Sequence, residues 1–552
     1  MNYKEKYQQW LNFDEKTRHE LLNIHDEKEI EDCFYKDLSF GTGGLRGVMG
    51  AGSNRMNQYT VQKATLGLAH YINSMHEKKK SIVIAYDTRN HSKEFAEAAA
   101  SVLCAEGIKV YLFEDVMPTP VLSFAVRYFK ASAGIVITAS HNPKEYNGYK
   151  VYNQYGGQLV PSEADHVIRY IEKIQDFSSI PTADLAECES SDSLVWIGEK
   201  VLDCFIQEVA KQSIDQNHSK NLKVVYTPLH GTGNIPVRKA LDNFSVSVVK
   251  EQELPDGDFS TVRSPNPEER DALNLAIQQA KKEKADIVIG TDPDCDRIGV
   301  AVRHEDQYIL LTGNQIGALL VDFVLSSKEV NEKSTLIKTI VTNDLGAEVA
   351  LDHGLHVLNT LTGFKYIGEK MTEFNHNQTQ EFVMGYEESY GYLVGTHARD
   401  KDAVVAARVI CEMASVYKAN KETLIDRIEK LYSKYGFYLD ALDSFVLKGK
   451  DGAEKIQMLM AQLREQQNSF IPSTKAVLDY SSGIDSLPKE NVLKFILLDD
   501  SWVAVRPSGT EPKIKVYYSI KEKDKVKAQH KLDQIREKFE SLIVGVKETI
   551  SV

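Results

Sequence analysis

From residue 81 onward, short apolar runs alternate with amphipathic stretches, and this alternation starts over twice. SIVIAYDT (81–88), KVYLF (109–113) and ASAGIVITAS (131–140) read as strands, with HSKEFAEAAASVLCAEG (91–107) a glycine-closed helix between the first two. NLKVVYTPLHGTG (221–233) and ADIVIGTD (285–292) flank the helix DALNLAIQQAKKEK. NQIGALLVDFVLSS (314–327) reads as a helix before the strands STLIKTIVT (334–342) and EFVMGYEES (381–389). Strands separated by crossover helices form βαβ units and a largely parallel sheet. The last segment, KFILLDDSWVAVRPSGTEPKIKVYYSI, reads instead as adjacent strands around a loop, followed by a charged helix at 522–543. The expected fold is therefore α/β: three similar α/β domains with mixed, largely parallel sheets plus a smaller C-terminal α+β domain, around a central cleft. The expected spans are 1–195, 196–308, 309–435 and 436–552. Residues 1–38 read as polar helix, 39–50 as a glycine-rich loop and 176–195 as a linker.

Length agrees with that count, since 552 residues at about 150 per domain give between three and four domains. Apolar residues at 42% and charged residues at 26% exclude a disordered or fibrous chain. The net charge of −13 argues against a nucleic-acid coat or a polybasic membrane binder, yet leaves room for a locally basic site. Six cysteines without a CxxC pair indicate neither a zinc ribbon nor a thioredoxin-type motif, and point to a reduced setting. The N-terminus is charged throughout, and no apolar run approaches the ~20 residues of a membrane helix. A cytoplasmic location is expected, with no membrane, nucleic-acid or obligate protein partner.

Four loops directly follow strands, where ligands bind in parallel α/β sheets. Thr138-Ala139-Ser140-His141-Asn142-Pro143 exposes a hydroxyl beside a proton partner, so Ser140 is a candidate nucleophile or phosphoryl carrier; the alternative is a helix cap with Pro143 in the first turn. Gly290-Thr291-Asp292-Pro293-Asp294-Cys295-Asp296-Arg297 carries three carboxylates at alternate positions, hard oxygen ligands suited to Mg²⁺, beside an arginine that can neutralise phosphate. Asp-rich turns that bond their own backbone are the competing explanation. In Gly385-Tyr386-Glu387-Glu388-Ser389-Tyr390-Gly391, Glu387 and Ser389 can bond sugar hydroxyls, or simply sit in a solvated turn. In the loop from Arg506 to Pro512, Arg506 offers a fork, and Ser508, Gly509 and Thr510 offer hydroxyls and backbone N–H groups, an anion nest rather than an ordinary hairpin turn. Gly41 to Gly47 is a poor dinucleotide loop, because no clear strand precedes it, and fits better as a phosphate or structural loop presenting Arg46. HGTGN (230–234) lacks a Walker lysine and reads as a turn. Together these parts describe phosphoryl transfer on a phosphorylated polyol.

TASHNP, GTDPDCDR, GYEESYG and RPSGTEPK, preceded by FGTGGLRG, resemble in sequence and order the motifs of the α-D-phosphohexomutase superfamily, most closely its phosphoglucomutase/phosphopentomutase branch, over about residues 39–520. The resemblance implies that Ser140 is the phosphoserine and, with Asp292, Asp294 and Asp296, holds Mg²⁺. It further implies that His141 and Lys150 assist proton transfer, and that Arg297 is the catalytic arginine beside the Mg²⁺ ligands. Glu387 and Ser389 would read sugar hydroxyls, and Arg506, Ser508, Gly509 and Thr510 would clamp the non-reacting phosphate. Arg46 and Lys365 would line the cleft, with His397, Arg399 and Lys401 extending that lining. The implied activity is interconversion of glucose 1-phosphate and glucose 6-phosphate through glucose 1,6-bisphosphate. Ribose phosphates are the alternative substrates, and a phosphosugar hydrolase or a non-catalytic binder would be a different class. Many relatives have glycines where Pro293 and Cys295 stand, and a small residue at Tyr390.

Overall fold

The computed structural model describes residues 2–41, 43–75, 80–215, 221–447, 452–485, 487–508 and 513–548. Four sheets follow one another along the chain. The first contains β1 (Gly44–Val48), β2 (Ser81–Tyr86), β3 (Lys109–Phe113), β4 (Ala133–Ile137), β5 (Tyr146–Asn153) and β6 (Leu194–Ile197), in the order β1-β5-β4-β2-β3-β6. Its β4, β2, β3 and β6 are parallel, while β5 runs antiparallel to both β4 and β1. The second contains β7 (Lys223–Thr227), β8 (Ser245–Val248), β9 (Ile287–Thr291), β10 (Ile298–His304) and β11 (Gln307–Leu310), in the order β11-β10-β9-β7-β8. The third contains β12 (Ser334–Thr339), β13 (His356–Thr360), β14 (Glu381–Glu387) and β15 (Gly391–Val394), in the order β13-β12-β14-β15. The fourth contains β16 (Phe437–Val446), β17 (Thr474–Asp479), β18 (Leu493–Leu497), β19 (Trp502–Pro507) and β20 (Lys513–Glu522), and every pairing in it is antiparallel.

Strands β4, β9 and β12 are buried along their whole length because helices cover both sheet faces, hence the apolar runs of β4 and β9; β12 also buries Lys338 and three hydroxyls. One continuous apolar core joins the first three units, running from Val83 and Phe113 through Tyr226 and Ile289 to Leu319 and Met384. The fourth unit has its own core around Leu463, Phe495 and Phe539, and meets the third across a small cluster that includes Ile340, Val341 and Trp502. Burial of apolar surface, at about 25 cal/mol per Å², therefore fuses units one to three far more tightly than it holds the fourth.

Several expectations need correction. The N-terminal segment is three helices, Tyr3–Trp10, Glu15–Leu22 and Glu27–Phe34, because Asn2, Asp14 and Asp26 each cap a new start. Their apolar faces close on Trp10, Leu21 and Phe34. The glycine-rich stretch 39–50 contains a strand: β1 pairs with β5, and a Cβ at Gly44 would lie 2.0 Å from the Tyr149 carbonyl oxygen. The stretch 176–195 is packed, with helix Leu185–Ser190 burying Cys188 and β6 adding to the first sheet across the position expected to divide two domains. The last helix spans Lys525–Glu548. Among the described residues no helix is long and apolar enough to cross a membrane.

Candidate active site

β4 delivers the serine loop. The Ser140 N–H donates to Thr138 Oγ1 at 2.8 Å, and Ser140 takes a left-handed φ of 52°. Beneath the loop, the buried Arg89 guanidinium donates to the carbonyls of Ser140, Asn142, Pro143 and Tyr146. Asp87 holds Arg89 at 3.3 Å. With the carbonyls turned inward, the Ser140 hydroxyl turns the other way and donates to Asp292 Oδ2 at 2.7 Å, with His141 Nδ1 at 3.2 Å. The turn runs into β5 and starts no helix, so Ser140 is not a helix cap. Burial, reinforced by Arg297 and Arg46, keeps the His141 ring well below its ordinary pKa and therefore neutral. Arg46, on β1, donates to Asn142 Oδ1 at 3.2 Å.

The acidic loop joins β9 to β10. Asp292, Asp294 and Asp296 are buried and present ligand atoms within 4.8 Å of one another. The N–H groups of Asp296 and Arg297 donate to Asp292 Oδ1, and Cys295 takes a φ of 53°, which explains how a glycine could stand there. Three units converge here. Thr119 donates its N–H and hydroxyl to Asp294, Lys150 Nζ lies 2.8 Å from Asp294, and Lys401 Nζ lies 3.2 Å from Asp296. Burial and mutual repulsion push Asp292 and Asp296 upward, whereas Lys150 overcomes burial and holds Asp294 low. Lys150 is in turn held protonated by Asp294 and Asp296 against the effect of burial. Two buried carboxylate oxygens, Asp294 Oδ1 and Asp296 Oδ1, take no hydrogen bond. Three converging carboxylates with unspent lone pairs fit a hard divalent cation such as Mg²⁺.

The turn HGTGN braces this loop. Thr232 donates its N–H and hydroxyl to the Pro293 carbonyl at 2.8 and 2.9 Å, and a Cβ at Gly231 would lie 2.5 Å from Pro293 Cα.

The third loop turns β14 back into β15, with Tyr390 at φ 62°. Glu387 accepts from the Gly363 N–H at 2.9 Å, and burial pushes its carboxyl up to about 7, with Lys401 opposing. Glu388 accepts from the hydroxyls of Thr339 and Thr342. Arg297 crosses from the acidic loop to donate to the Ser389 carbonyl at 2.9 Å. Burial lowers Lys365, at the start of helix Phe364–Asn377, to about 8.

The fourth loop follows β19. Arg506, next to last in that strand, lies directly opposite Lys515 on β20, and burial, with Lys513 and Arg506, lowers the Lys515 ammonium. Like charges facing each other across a ladder are destabilising unless an anion sits between them. The Ser508 N–H donates to the Lys513 carbonyl at 2.7 Å. Gly509 and Thr510 lie outside the described residues.

All four loops open on one cavity of about 620 Å³. Its walls bring together Arg46, Ser140, His141 and Lys150 from the first unit, and Asp296 and Arg297 from the second. Lys365, Glu387, Ser389 and Lys401 come from the third, and Arg506 and Lys515 from the fourth. His397 and Arg399 are not in this wall: His397 pairs with Asp402 at 2.7 Å, and Arg399 donates to the carbonyls of Thr396 and Ala398. Sequence reasoning passed over Arg89, Thr119, Thr232 and Lys515. Lys515 alone had a signal, being two residues beyond Lys513 and so on the same strand face.

Models of the phosphoglucomutase/phosphomannomutase family match the chain as alpha/beta/alpha domain I over residues 37–177, domain II over 203–305, domain III over 312–435 and the C-terminal domain over 453–535. The chain is 41% identical to the phosphoglucomutase of Staphylococcus haemolyticus (strain JCSC1435) over 507 residues, covering 89% of this chain and 91% of that protein. It is 38% identical to the phosphoglucomutase of Staphylococcus aureus (strain MRSA252) over 535 residues, covering 93% and 94%. Among solved structures, the open form of the phosphoglucomutase parafusin from Paramecium superposes with a TM-score of 0.71 at 18% identity, covering 93% of this chain and 96% of that one. A phosphoglucomutase/phosphomannomutase family protein from Burkholderia thailandensis gives 0.69 at 18%, covering 92% and 97%.

Proposed function

The chain belongs to the phosphoglucomutase/phosphomannomutase family, and from that premise we propose that it interconverts α-D-glucose 1-phosphate and glucose 6-phosphate through a phosphoserine at Ser140 and a bound glucose 1,6-bisphosphate. One observation carries this reading: the Ser140 hydroxyl, bonded to the buried acidic loop at 2.7 Å, opens on the same cavity as the cationic face of Arg506 and Lys515. A reacting group and a remote phosphate clamp at opposite walls are what an intramolecular phosphoryl exchange requires.

The existing phosphate of the sugar sits on Arg506 and Lys515, and Glu387 and Ser389 take the ring hydroxyls. The phosphoserine carries about −1.5 to −2 charge at neutral pH. Asp292, Asp294 and Asp296 would hold a Mg²⁺, which when bound offsets that charge as a Lewis acid. In the first half-reaction the P–O bond to Ser140 breaks and one to the sugar hydroxyl forms; the proton of that hydroxyl passes by way of the neutral His141 ring to the departing Ser140 oxygen, which ends as a free hydroxyl. The bisphosphate then turns over, and its other phosphoryl group returns to Ser140. Closure of the fourth unit keeps water from the phosphoserine.

The test pairs a mass spectrum of the Ser140 peptide with mutase assays on glucose 1-phosphate and ribose 1-phosphate. One phosphate on that peptide, a higher kcat/KM for glucose 1-phosphate, and loss of turnover in a folded Ser140→Ala variant are expected. Preference for ribose 1-phosphate would overturn the hexose assignment. Full activity of Ser140→Ala would overturn the phosphoserine, and net release of inorganic phosphate would mark a hydrolase.

A further inference from the structure

We infer that Glu268 is a positioning residue, holding Arg297 turned toward the transferring phosphoryl group and away from the carboxylates of the acidic loop; the inference rests on the mutase reading above. Glu268 belongs to a fifth loop at the cleft, Ser264-Pro265-Asn266-Pro267-Glu268-Glu269, which none of the sequence motifs includes. The loop is built to be stiff. Pro265 and Pro267 are buried and fix their own φ angles, and the Glu268 N–H donates to Asn266 Oδ1 at 3.1 Å. Its backbone lies hard against β10, where a Cβ at Gly299 would stand 2.0 Å from the Pro267 carbonyl oxygen. The Ser264 hydroxyl donates to the His141 carbonyl at 3.1 Å, tying the loop to the one that carries Ser140.

From this platform Glu268 Oε1 accepts from Arg297 Nη1 at 2.7 Å, and the same nitrogen donates to the Ser389 carbonyl at 2.9 Å. Two acceptors on two loops fix the plane of a guanidinium, which is a rigid fork. Nη2 takes no protein partner among the described residues, and Arg297 forms part of the cleft wall next to Ser140, His141 and Glu387. That edge is the one offered to phosphoryl oxygens. The competing arrangement is close at hand, since Arg297 Nε lies only 3.8 Å from Asp296 Oδ1. Glu268, at 2.7 Å, lies nearer the Arg297 guanidinium than Asp296 does at 3.8 Å. Remove Glu268 and the guanidinium keeps its nearest remaining carboxylates, which are the cation ligands. Catalysis of phosphoryl transfer is mostly placement and charge stabilisation, and a displacement of about 1 Å can cost 10²-fold.

The experiment compares steady-state kinetics of the full chain with those of Glu268→Ala, Glu268→Asp and Glu268→Gln, each first checked for an unchanged melting transition. Glu268→Ala is expected to lose about 10- to 100-fold in kcat with KM for glucose 1-phosphate within about threefold, because the transition state uses Arg297 more than the ground state does. Glu268→Asp should recover part of that loss, and Glu268→Gln, which keeps an acceptor but not the charge, should fall between. Glu269→Gln on the same loop, whose carboxylate among the described residues meets only the Asn266 amide at 3.4 Å, should match the unaltered chain. Wild-type kcat in both Glu268→Ala and Glu268→Gln, with the unaltered chain active, overturns this inference alone. An unaltered chain that does not interconvert the two phosphates overturns the mutase reading, and this inference with it.

Discussion

Arg506 and Lys515 face each other across β19 and β20, and burial disfavours the Lys515 charge before its cationic neighbours add to the cost. Glu490 offsets part of this, 3.7 Å from Arg506, and on the proposed reading a phosphate dianion between the pair would convert the remaining repulsion into two charge-assisted bonds, each of about 1.5–3 kcal/mol. Lys515→Met should therefore raise KM for glucose 1-phosphate by about 10- to 100-fold while kcat changes little. An unchanged KM would remove Lys515 from the phosphate site. Single side chains of the cleft were unevenly legible. Ser140 and the three aspartates stood out because no packing requirement puts such residues at the end of an apolar strand. Arg89 did not stand out, because a buried arginine that caps four carbonyls looks, in sequence, like any surface arginine. Glu268 was equally silent, since its partner is remote in the chain.

Strands buried on both faces declare themselves by composition, so β2, β4, β9 and β12 could be read directly. Glycine-rich segments mislead for a definite reason: a glycine can mark a turn or a close approach, and sequence does not separate the two. β1 reads as loop in the sequence, yet its Gly44 exists because the Tyr149 carbonyl passes where a Cβ would be. The HGTGN turn is a second case, where Gly231 lets Thr232 reach the Pro293 carbonyl and so fixes the shape of the acidic loop. Gly231→Ala would push a methyl group against the backbone of Pro293 and Pro228. Because supports of this kind set cation affinity by about 10- to 100-fold, Gly231→Ala should raise the Mg²⁺ concentration needed for half-maximal activity by that factor. Calorimetric titration with Mn²⁺ gives an independent readout, and unchanged binding there would show that HGTGN does not shape the acidic loop.

At the scale of the whole molecule, three units share a core and the fourth is attached through a small joint, so the cationic face of Arg506 and Lys515 rides on the least tightly held unit. Charged groups are set into that apolar joint. Lys494 donates to the Ile340 carbonyl at 2.7 Å and lies over the Trp502 ring, whose Nε1 donates to Asp344 at 2.9 Å. Lys338 faces the same Asp344 at 2.9 Å, and across the joint Asn343 donates to Asp440 at 2.8 Å. Burial, with Lys338 adding to it, lowers Lys494 to about 7 from an ordinary 10.5. Burial likewise raises Asp440 to about 7 from an ordinary 3.8. Between pH 3.8 and 7 the folded Asp440 keeps a proton that the unfolded chain has lost, so stability falls as pH rises. Between pH 7 and 10.5 the unfolded Lys494 keeps a proton that the folded chain has lost, so stability rises again. These two groups thus stabilise the joint least near neutral pH. In a chain with Trp502 as its sole tryptophan, the thermal transition followed by fluorescence should pass through a minimum near pH 7. Glu387 and Lys365 act in the same directions, so Asp440→Asn should shrink the fall on the acid side and Lys494→Met should shrink the rise on the alkaline side, each leaving the other limb in place. A transition temperature that stays flat from pH 5 to 9, or limbs that neither substitution changes, would mean that these two buried groups do not set the strength of the joint.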